Sequence, residues 1–176
     1  MANTFELIAS STVGAGGASS IDFTSIPSTY TDLCVLLSGR CTAAFTRRVL
    51  RLRINNSSTA ADYADRYLQG NGTSASSGSD PAGSSTYIQI FDLPAASATA
   101  NTFANIGIYI PNYASTTTYK SISVDSVPEE NGTTAYMSMV AGIYNNNTAI
   151  TQVNLLPDSG NFAQYSTAYL YGVKNA

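Results

Sequence analysis

The side chains able to do chemistry in this 176-residue sequence are carboxylates, hydroxyls, two thiols and two amines, because the chain contains no histidine. Ser-His-Asp and Cys-His arrangements are therefore excluded, and a serine or cysteine nucleophile would need a lysine as its base. Neither Lys120 nor Lys174 belongs to a Ser-x-x-Lys motif. We therefore expect no nucleophilic catalysis by a hydroxyl or a thiol.

Carboxylates are the remaining catalytic candidates, since glycoside hydrolysis needs only two of them about 5 to 10 Å apart. The chain has 11 Asp and Glu, and no spacing singles out a pair. Glu129 and Glu130 precede an Asn-Gly dipeptide, which favours a hairpin turn, so we interpret them as turn residues. Residues 13–18 contain glycines without the Lys-Ser/Thr of a phosphate-binding loop, and we interpret them as a hairpin connection. We expect a protein that is not an enzyme.

The two cysteines predict neither a disulfide nor a metal site. Cys34 and Cys41 lie seven positions apart in a predicted extended segment, which at roughly 3.3 Å per residue places them beyond disulfide distance unless a turn intervenes. We therefore expect free thiols. Two cysteines without histidine cannot supply the three or four ligands of a zinc site. We expect no metal and no cofactor.

Composition limits the class of partner. Charged residues make up 11% of the chain, against about 25% in typical proteins, and the net charge is -3 with eight Lys and Arg. Because nucleic acids and anionic membranes bind through many cationic side chains, we expect neither as a partner. The first residues lack the pattern of a signal peptide, and no apolar stretch of about 18 residues follows. The length and the 44% hydrophobic content predict a single folded domain over residues 1–176.

Runs rich in β-branched and aromatic residues recur between clusters of Gly, Pro, Asn, Asp and Ser, which is typical of a sandwich or barrel. No segment has helical periodicity over three turns. The sequence therefore predicts an all-β fold of about ten strands, at residues 4–9, 20–23, 32–38, 50–54, 87–91, 104–110, 119–127, 136–143, 150–155 and 166–173.

Alternation within these strands predicts which side chains face the core. We expect three sets to point inward: Ala104, Ile106, Ile108 and Ile110; Leu50, Leu52 and Ile54; and Met137, Met139, Ala141 and Ile143. Arg51 and Arg53 then lie on the opposite face of their strand. In the last strand Tyr169 and Tyr171 lie opposite Ala168 and Leu170, so we expect both faces to be covered, one by the second sheet and one by a neighbour. Residues 71–86 are small and polar with three glycines, so we expect a long exposed loop that either contacts a partner or is mobile.

Four segments of the sequence have a familiar form: FELIASSTVGAGGASSIDFTSIPSTYTDL at residues 5–33, IYIPNY at 108–113, YKSISVD at 119–125 and QYSTAYLYGVK at 164–174. Together they resemble small virion proteins of tailed phages of aquatic bacteria, cyanophages among them. The resemblance covers nearly the whole chain, with residues 40–86 the least similar part. It implies a two-sheet antiparallel jelly-roll-like sandwich on the virion surface, and it carries over no catalytic residues.

The resemblance leaves two locations on the virion. We expect a capsid decoration or cement protein on the outer surface of the capsid, because the first and last strands lie close to the chain ends and no shaft region is present. Its partners would be the major capsid protein and two further copies of itself at a three-fold position. The candidate interface combines tyrosine anchors with an arginine rim: Tyr169, Tyr171, Arg47, Arg48, Arg51 and Arg53.

The alternative is a tail-fibre or receptor-binding module that recognises a host surface glycan. Under that hypothesis the binding residues would lie in residues 71–86 and among exposed aromatic side chains able to stack on sugar rings. The candidates are Tyr63, Tyr67 and Tyr113.

Overall fold

The computed structural model describes residues 4–132 and 135–174, and the remaining residues of the predicted domain lie outside the described part. The described residues form twelve β-strands and one 3-10 turn at Ala60–Asp62. The strands are β1 (Phe5–Thr12), β2 (Ile21–Phe23), β3 (Asp32–Gly39), β4 (Arg47–Ile54), β5 (Tyr63–Gly70), β6 (Ala75–Asp80), β7 (Ile88–Pro94), β8 (Ala104–Ile110), β9 (Lys120–Val127), β10 (Met137–Tyr144), β11 (Val153–Pro157) and β12 (Thr167–Val173).

The strands form two antiparallel sheets. The larger has the order β1-β12-β3-β8-β9-β10-β5-β6 and the smaller has the order β2-β11-β4-β7. When the four strands of the hairpins β5–β6 and β9–β10 are left out, the other eight strands alternate between the two sheets along the chain, except that β4 and β7 both lie in the smaller sheet, which gives the four-on-four order of a jelly roll. The two hairpins extend the larger sheet at the β8 side. The predicted two-sheet antiparallel jelly-roll-like sandwich is therefore confirmed.

The core lies between the two sheets and is built from alternate residues of both. Ile106, Ile108 and Ile110 of β8 and Leu50 and Leu52 of β4 are fully buried, as their alternation predicts. Nearly all the buried apolar residues of both sheets belong to one contacting cluster. A one-residue slip of any of these strands would turn its apolar side chains to solvent, so burial fixes the register.

All ten predicted strands are present, and the sequence-based prediction missed β5 and β6. Residues 71–86 are not one loop, because Ala75–Asp80 pairs with β5 along the edge of the larger sheet. The hairpin turn is stabilised locally, since the Asn71 side-chain carbonyl accepts hydrogen bonds from the backbone N–H groups of Thr73 at 3.1 Å and Ser74 at 2.8 Å. Backbone pairing rather than apolar packing orders this strand, and most of its residues are exposed as expected.

The predicted inward set of β10 is wrong by one residue. Met137 and Met139 are 58% and 59% exposed, whereas Val140 and Tyr144 face the core. Tyr144 contacts the Tyr63 ring, with centroids 5.7 Å apart. Gly142 also faces inward, where an added Cβ would lie 2.7 Å from a carbon of Ile88. The strand therefore buries one large ring and leaves space for Ile88, and its two thioethers point to solvent.

Two segments were predicted to be hairpin connections, and the structure confirms one of them. Residues 13–18 are not a hairpin connection, because β1 and β2 lie in different sheets and the segment crosses between them. Val13 and Ala18 instead bond to the segment before β12, through the Ser166 and Phe162 carbonyls at 2.9 and 3.2 Å. The acidic pair before Asn131 does lie in the connection of a hairpin, since β9 and β10 are antiparallel neighbours.

Both cysteines have free thiols, as expected, and Cys41 is buried while Cys34 is partly exposed. Burial raises the pKa of both thiols above the ordinary value. Within the described residues, no helix has the length and apolar character required to span a membrane.

Candidate functional site

The outer face of the larger sheet, which points away from the core, is rich in exposed apolar side chains. Because facing residues of neighbouring strands share a side of the sheet, the strand register identifies this surface. Its large apolar members are Leu7, Leu36, Leu68, Tyr109, Val127, Met137, Met139, Tyr169 and Tyr171. Except for the half-buried Tyr171, each of these side chains is more than a third exposed.

These side chains form continuous rows across the strands. One row crosses six strands through Tyr169, Leu36, Gly107, Asp125, Met139 and Leu68. The adjacent row passes through Tyr171, Cys34, Tyr109, Ser123, Ala141 and Arg66. Each row contains one charged residue, Asp125 in the first and Arg66 in the second, so most of the outer face is neutral.

The two predicted tyrosine anchors lie together on this surface. The rings of Tyr169 and Tyr171 are stacked with centroids 6.4 Å apart, and Phe5 contacts Tyr171 edge-on at 6.4 Å. Tyr169 is 41% exposed beside Leu36 on the next strand. Their strand β12 is flanked by β1 and β3, so the rings rest on an interior strand of the sheet.

The four predicted rim arginines lie elsewhere, on β4 of the smaller sheet. Arg51 and Arg53 alternate with core leucines of that sheet, so these side chains point to the other side of the sandwich from the tyrosines. The sequence-based grouping of arginines and tyrosines is therefore not one continuous patch in the structure.

All four arginines also have partners within the chain. Arg47 pairs with Asp92 at 2.8 Å, and Arg48 forms a two-bond pair with Asp158 at 2.8 and 2.7 Å. The Arg51 guanidinium lies 4.8 Å from the centre of the Tyr87 ring, and Arg53 donates to the Thr86 hydroxyl at 3.3 Å. These contacts attach β4 to the neighbouring strand and loop, which is a structural role.

The aromatic residues of the receptor-binding alternative are mostly unavailable to a ligand. Tyr63 and Tyr113 are fully buried, so their assignment as exposed sugar platforms is wrong. The Tyr63 hydroxyl bonds to the backbone of Ile54, and burial raises the pKa of Tyr63 to about 12. The Tyr113 hydroxyl donates to the Pro27 carbonyl, and Tyr67 packs on the Phe91 ring with centroids 4.1 Å apart.

A groove of about 550 Å³ lies on the same side of the larger sheet, over the extension formed by the two hairpins. Its floor is made of the small residues Ser121, Ser123 and Ala141, and Tyr109 and Arg66 line it on strands β8 and β5. Small side chains between two large ones leave a depression in an otherwise flat sheet surface. The sequence contains no local signal for this groove, because its residues come from separate strands.

The Tyr109 side chain is held in place by a carboxylate. Its hydroxyl donates to Asp32 Oδ2 at 2.5 Å, and Asp32 Oδ1 accepts the backbone N–H of Asn112 at 2.8 Å. The hydrogen bond to Asp32 raises the pKa of Tyr109 to about 12, with a further contribution from desolvation. The ring is therefore oriented before any ligand binds.

An Asp32→Asn substitution is expected to lower the pKa of Tyr109 toward its ordinary value of 10.0, because the charged acceptor is lost. Since the pKa is raised in the folded protein, the stability that this contact contributes is complete below pH 10.0 and is lost as the pH rises through about 12. An NMR titration of the ring signal, assigned with Tyr109→Phe, measures the shift. Titration of wild-type Tyr109 near its ordinary pKa would contradict this geometry.

Two carboxylates, Asp65 and Asp80, face each other across β5 and β6 on the inner side of the larger sheet, behind the groove. Gln89 bonds to both: its backbone N–H donates to Asp65 at 2.9 Å and its side-chain amide donates to Asp80. Burial and the neighbouring Asp80 raise the pKa of Asp65. These contacts attach β7 to the β5–β6 hairpin. Among the described residues, no group of three or more His, Cys, Asp or Glu could hold a metal ion.

Comparisons with known proteins assign no family to this chain. No protein-family model and no curated protein matches the sequence. Among solved structures, the chain is similar to fructofuranosidase from Schwanniomyces occidentalis complexed with fructose, at a TM-score of 0.27 and 8% sequence identity. The match covers 99% of this chain and 35% of that chain, so the protein spans about a third of its length. A similarity of this size assigns neither fold family nor function.

Proposed function

We propose that this chain is a non-enzymatic virion structural protein of a tailed phage, which docks on the outer surface of the capsid and stabilises the shell. The observation that supports docking is the outer face of the larger sheet, where exposed leucines and tyrosines cluster on β1, β12 and β3 and exposed methionines and Leu68 cluster on β10 and β5. Soluble monomers rarely expose apolar patches of more than a few hundred Å², and larger patches mark interaction sites. The phage assignment rests on the resemblance of the sequence segments quoted above.

The outer face is large enough for a specific interface. Eight strands about 4.8 Å apart and roughly seven residues long give a surface of about 900 Å². A standard protein interface buries about 800 Å² on each partner. The surface therefore has the area of one complete interface, with the tyrosine pair near one side and the methionines near the other.

Docking would stabilise the shell by burial of apolar surface, without any bond being made or broken. Tyr169 and Tyr171 act as the anchors, because tyrosine gains much contact area while it loses little conformational entropy. The exposed Ser and Thr residues of neighbouring strands form a neutral polar rim. The partner is the major capsid protein, and three copies of the chain around a three-fold position of the shell would form a closed trimer.

Purified protein added to capsids that lack it tests this proposal. We expect co-sedimentation at a fixed ratio to the major capsid protein, and decorated shells that withstand heating better than bare shells. The matched control is the same protein added to isolated tails. Co-sedimentation with tails and not with capsids would contradict capsid docking and favour the receptor-binding alternative.

A further inference from the structure

The larger sheet ends in two edge strands, β1 and β6, each paired on one side within the described part of the chain. We propose that β6 is a self-association site, where it pairs antiparallel with β6 of a second copy across a two-fold axis. The contact uses backbone groups at the edge of the sheet and not the outer face. It is also separate from the three-fold arrangement of copies on the shell, so the inference does not rest on capsid docking.

The hairpin turn determines which backbone groups point out from β6. The Asn71 N–H donates to the Ser74 carbonyl at 3.1 Å, so these two residues are a hydrogen-bonded pair. Because such pairs alternate along an antiparallel hairpin, Ser76, Gly78 and Asp80 bond to β5. The intervening residues direct their N–H and C=O groups away from the sheet, and they are Ala75, Ser77 and Ser79.

The other edges of the two sheets are protected against pairing, whereas β6 is open. At the β7 edge, Asp65 accepts the Gln89 N–H at 2.9 Å, and the Ser126 hydroxyl donates to the Phe91 carbonyl at 3.0 Å. β2 has three residues, and the register of β1 with β12 is irregular. Short strands, bulges and covering groups are the usual protection of sheet edges. β6 has six residues in continuous register with β5, and none is Lys, Arg or Pro.

The charge distribution of β6 favours a second copy in the antiparallel direction. Asp80, at one end, is the only charged residue of the strand. In an antiparallel pair centred on Ser77, each Asp80 faces Ser74 of the other copy, and the two carboxylates are about 20 Å apart along the strands. A parallel pair would place them side by side. In the antiparallel pair, Ala75 faces Ser79 and Ser77 faces its own counterpart, which gives about six backbone hydrogen bonds.

This pairing also joins the outer faces of two copies. A two-fold axis perpendicular to the sheet keeps both outer faces on the same side. Ser77 lies beside Leu68 of β5, which lies beside Met139 of β10. The row through Met139, Leu68 and Ser77 therefore continues into the same row of the second copy in reverse order. The eight strands of each larger sheet then belong to one continuous sheet.

The contact is small, so we expect weak association of the free protein. A strand of six residues is roughly 20 Å long, and the side chains of β6 are short. Edge pairing of this kind obtains its affinity mainly from main-chain hydrogen bonds. We expect a dissociation constant between about 10 µM and 1 mM. Two copies held side by side on a larger assembly would pair more completely, because their effective concentration is higher.

Sedimentation velocity of the full chain at concentrations up to about 1 mM tests the proposal. We expect a monomer–dimer equilibrium for the wild type and a monomer for Ser77→Pro at every concentration. Proline removes the outward N–H at the centre of the contact, and an edge strand tolerates proline where its N–H points to solvent. The circular dichroism spectrum of Ser77→Pro should match that of the wild type.

A charge exchange at Ser77 tests the register without proline. In the proposed pair this residue lies directly opposite its own counterpart, so Ser77→Lys and Ser77→Glu each place like charges across the axis. Each variant alone should associate at least about tenfold more weakly than the wild type. An equimolar mixture of the two should form a mixed dimer, and added salt should weaken that dimer. Loss of fold in either variant would not produce this recovery.

The matched control is Ser10→Lys, the same change at an exposed residue of β1 on the opposite edge of the larger sheet. It should dimerise like the wild type. Three results would overturn the proposal: a monomer at all concentrations, a trimer that Ser77→Pro leaves intact, or no recovery in the Lys–Glu mixture. Ser77→Pro keeps the tyrosines of β12 and should still co-sediment with capsids, so failure of edge pairing and failure of capsid docking are distinguishable.

Discussion

A protein carrying both Tyr169→Ser and Tyr171→Ser should lose capsid docking almost completely. The two stacked rings lie at the β12 side of the outer face, and truncation of a buried interface tyrosine costs about 2 kcal/mol or more. Each change alone should weaken docking roughly 30-fold, and the pair should weaken it by more than about 100-fold. Co-sedimentation with undecorated capsids over a range of protein concentrations measures the effect.

The control is Phe45→Ser, another exposed aromatic side chain changed in the same way. Phe45 is 52% exposed and contacts Arg48 of β4 at 4.5 Å, away from the outer face of the larger sheet. We expect Phe45→Ser to dock like wild type. If Phe45→Ser loses docking while the double tyrosine variant keeps it, the interface is on the arginine side of the sandwich. Circular dichroism confirms that both variants are folded.

Lys120→Met should cause a large loss of stability. Lys120 is 1% exposed, and its ammonium donates to three backbone carbonyls, those of Ser115 at 2.7 Å, Asn146 at 3.3 Å and Thr148 at 2.6 Å. It joins the loop before β9 to the loop after β10. Methionine fills similar space but leaves three carbonyls without a donor. We expect a loss of about 2 to 4 kcal/mol, measured by urea denaturation.

The matched control for Lys120 is Lys174→Met. Lys174 pairs with Glu6 at 2.9 Å, but its side chain is 42% exposed, and exposed ion pairs contribute at most about 1 kcal/mol. The Lys174 substitution should therefore have a much smaller effect. Equal and small losses in the two variants would show that the buried ammonium does not hold the two loops together.

The core was predictable where apolar and other residues alternate without ambiguity. In β8, Ile106, Ile108 and Ile110 all lie on one face of the strand, so that face was predicted to be the buried one, and the structure confirms this prediction. In β10 both faces carry side chains of moderate hydrophobicity, so local alternation could not show that Tyr144 is needed in the core against Tyr63. The side of β5 that faces the smaller sheet carries the polar residue Asp65, which accepts a hydrogen bond from β7. Because that side is not uniformly apolar, β5 has no alternating apolar pattern from which the strand could be predicted.

The candidate sites were harder to predict, because their partners are distant in the chain. The arginines of β4 have the spacing of an exposed rim, but Asp92 and Asp158, which bind Arg47 and Arg48, lie 45 and 110 residues away. The groove depends on the order in which β8, β9, β10 and β5 pair, and that order does not follow from any local segment. The alternation of Tyr169 and Tyr171 with Ala168 and Leu170 placed the two pairs on opposite faces of β12, but only the packing of the two sheets shows that the tyrosine face points outward.

The most direct test of the central claim is a cryo-electron microscopy reconstruction of the intact virion that carries this protein. We predict density for the jelly-roll sandwich over the whole outer shell, at a fixed ratio to the major capsid protein, with Tyr169 and Tyr171 directed at the capsid subunits. Density confined to the tail or its fibres, or copies on the shell with the outer face of the larger sheet exposed to solvent, would contradict the account.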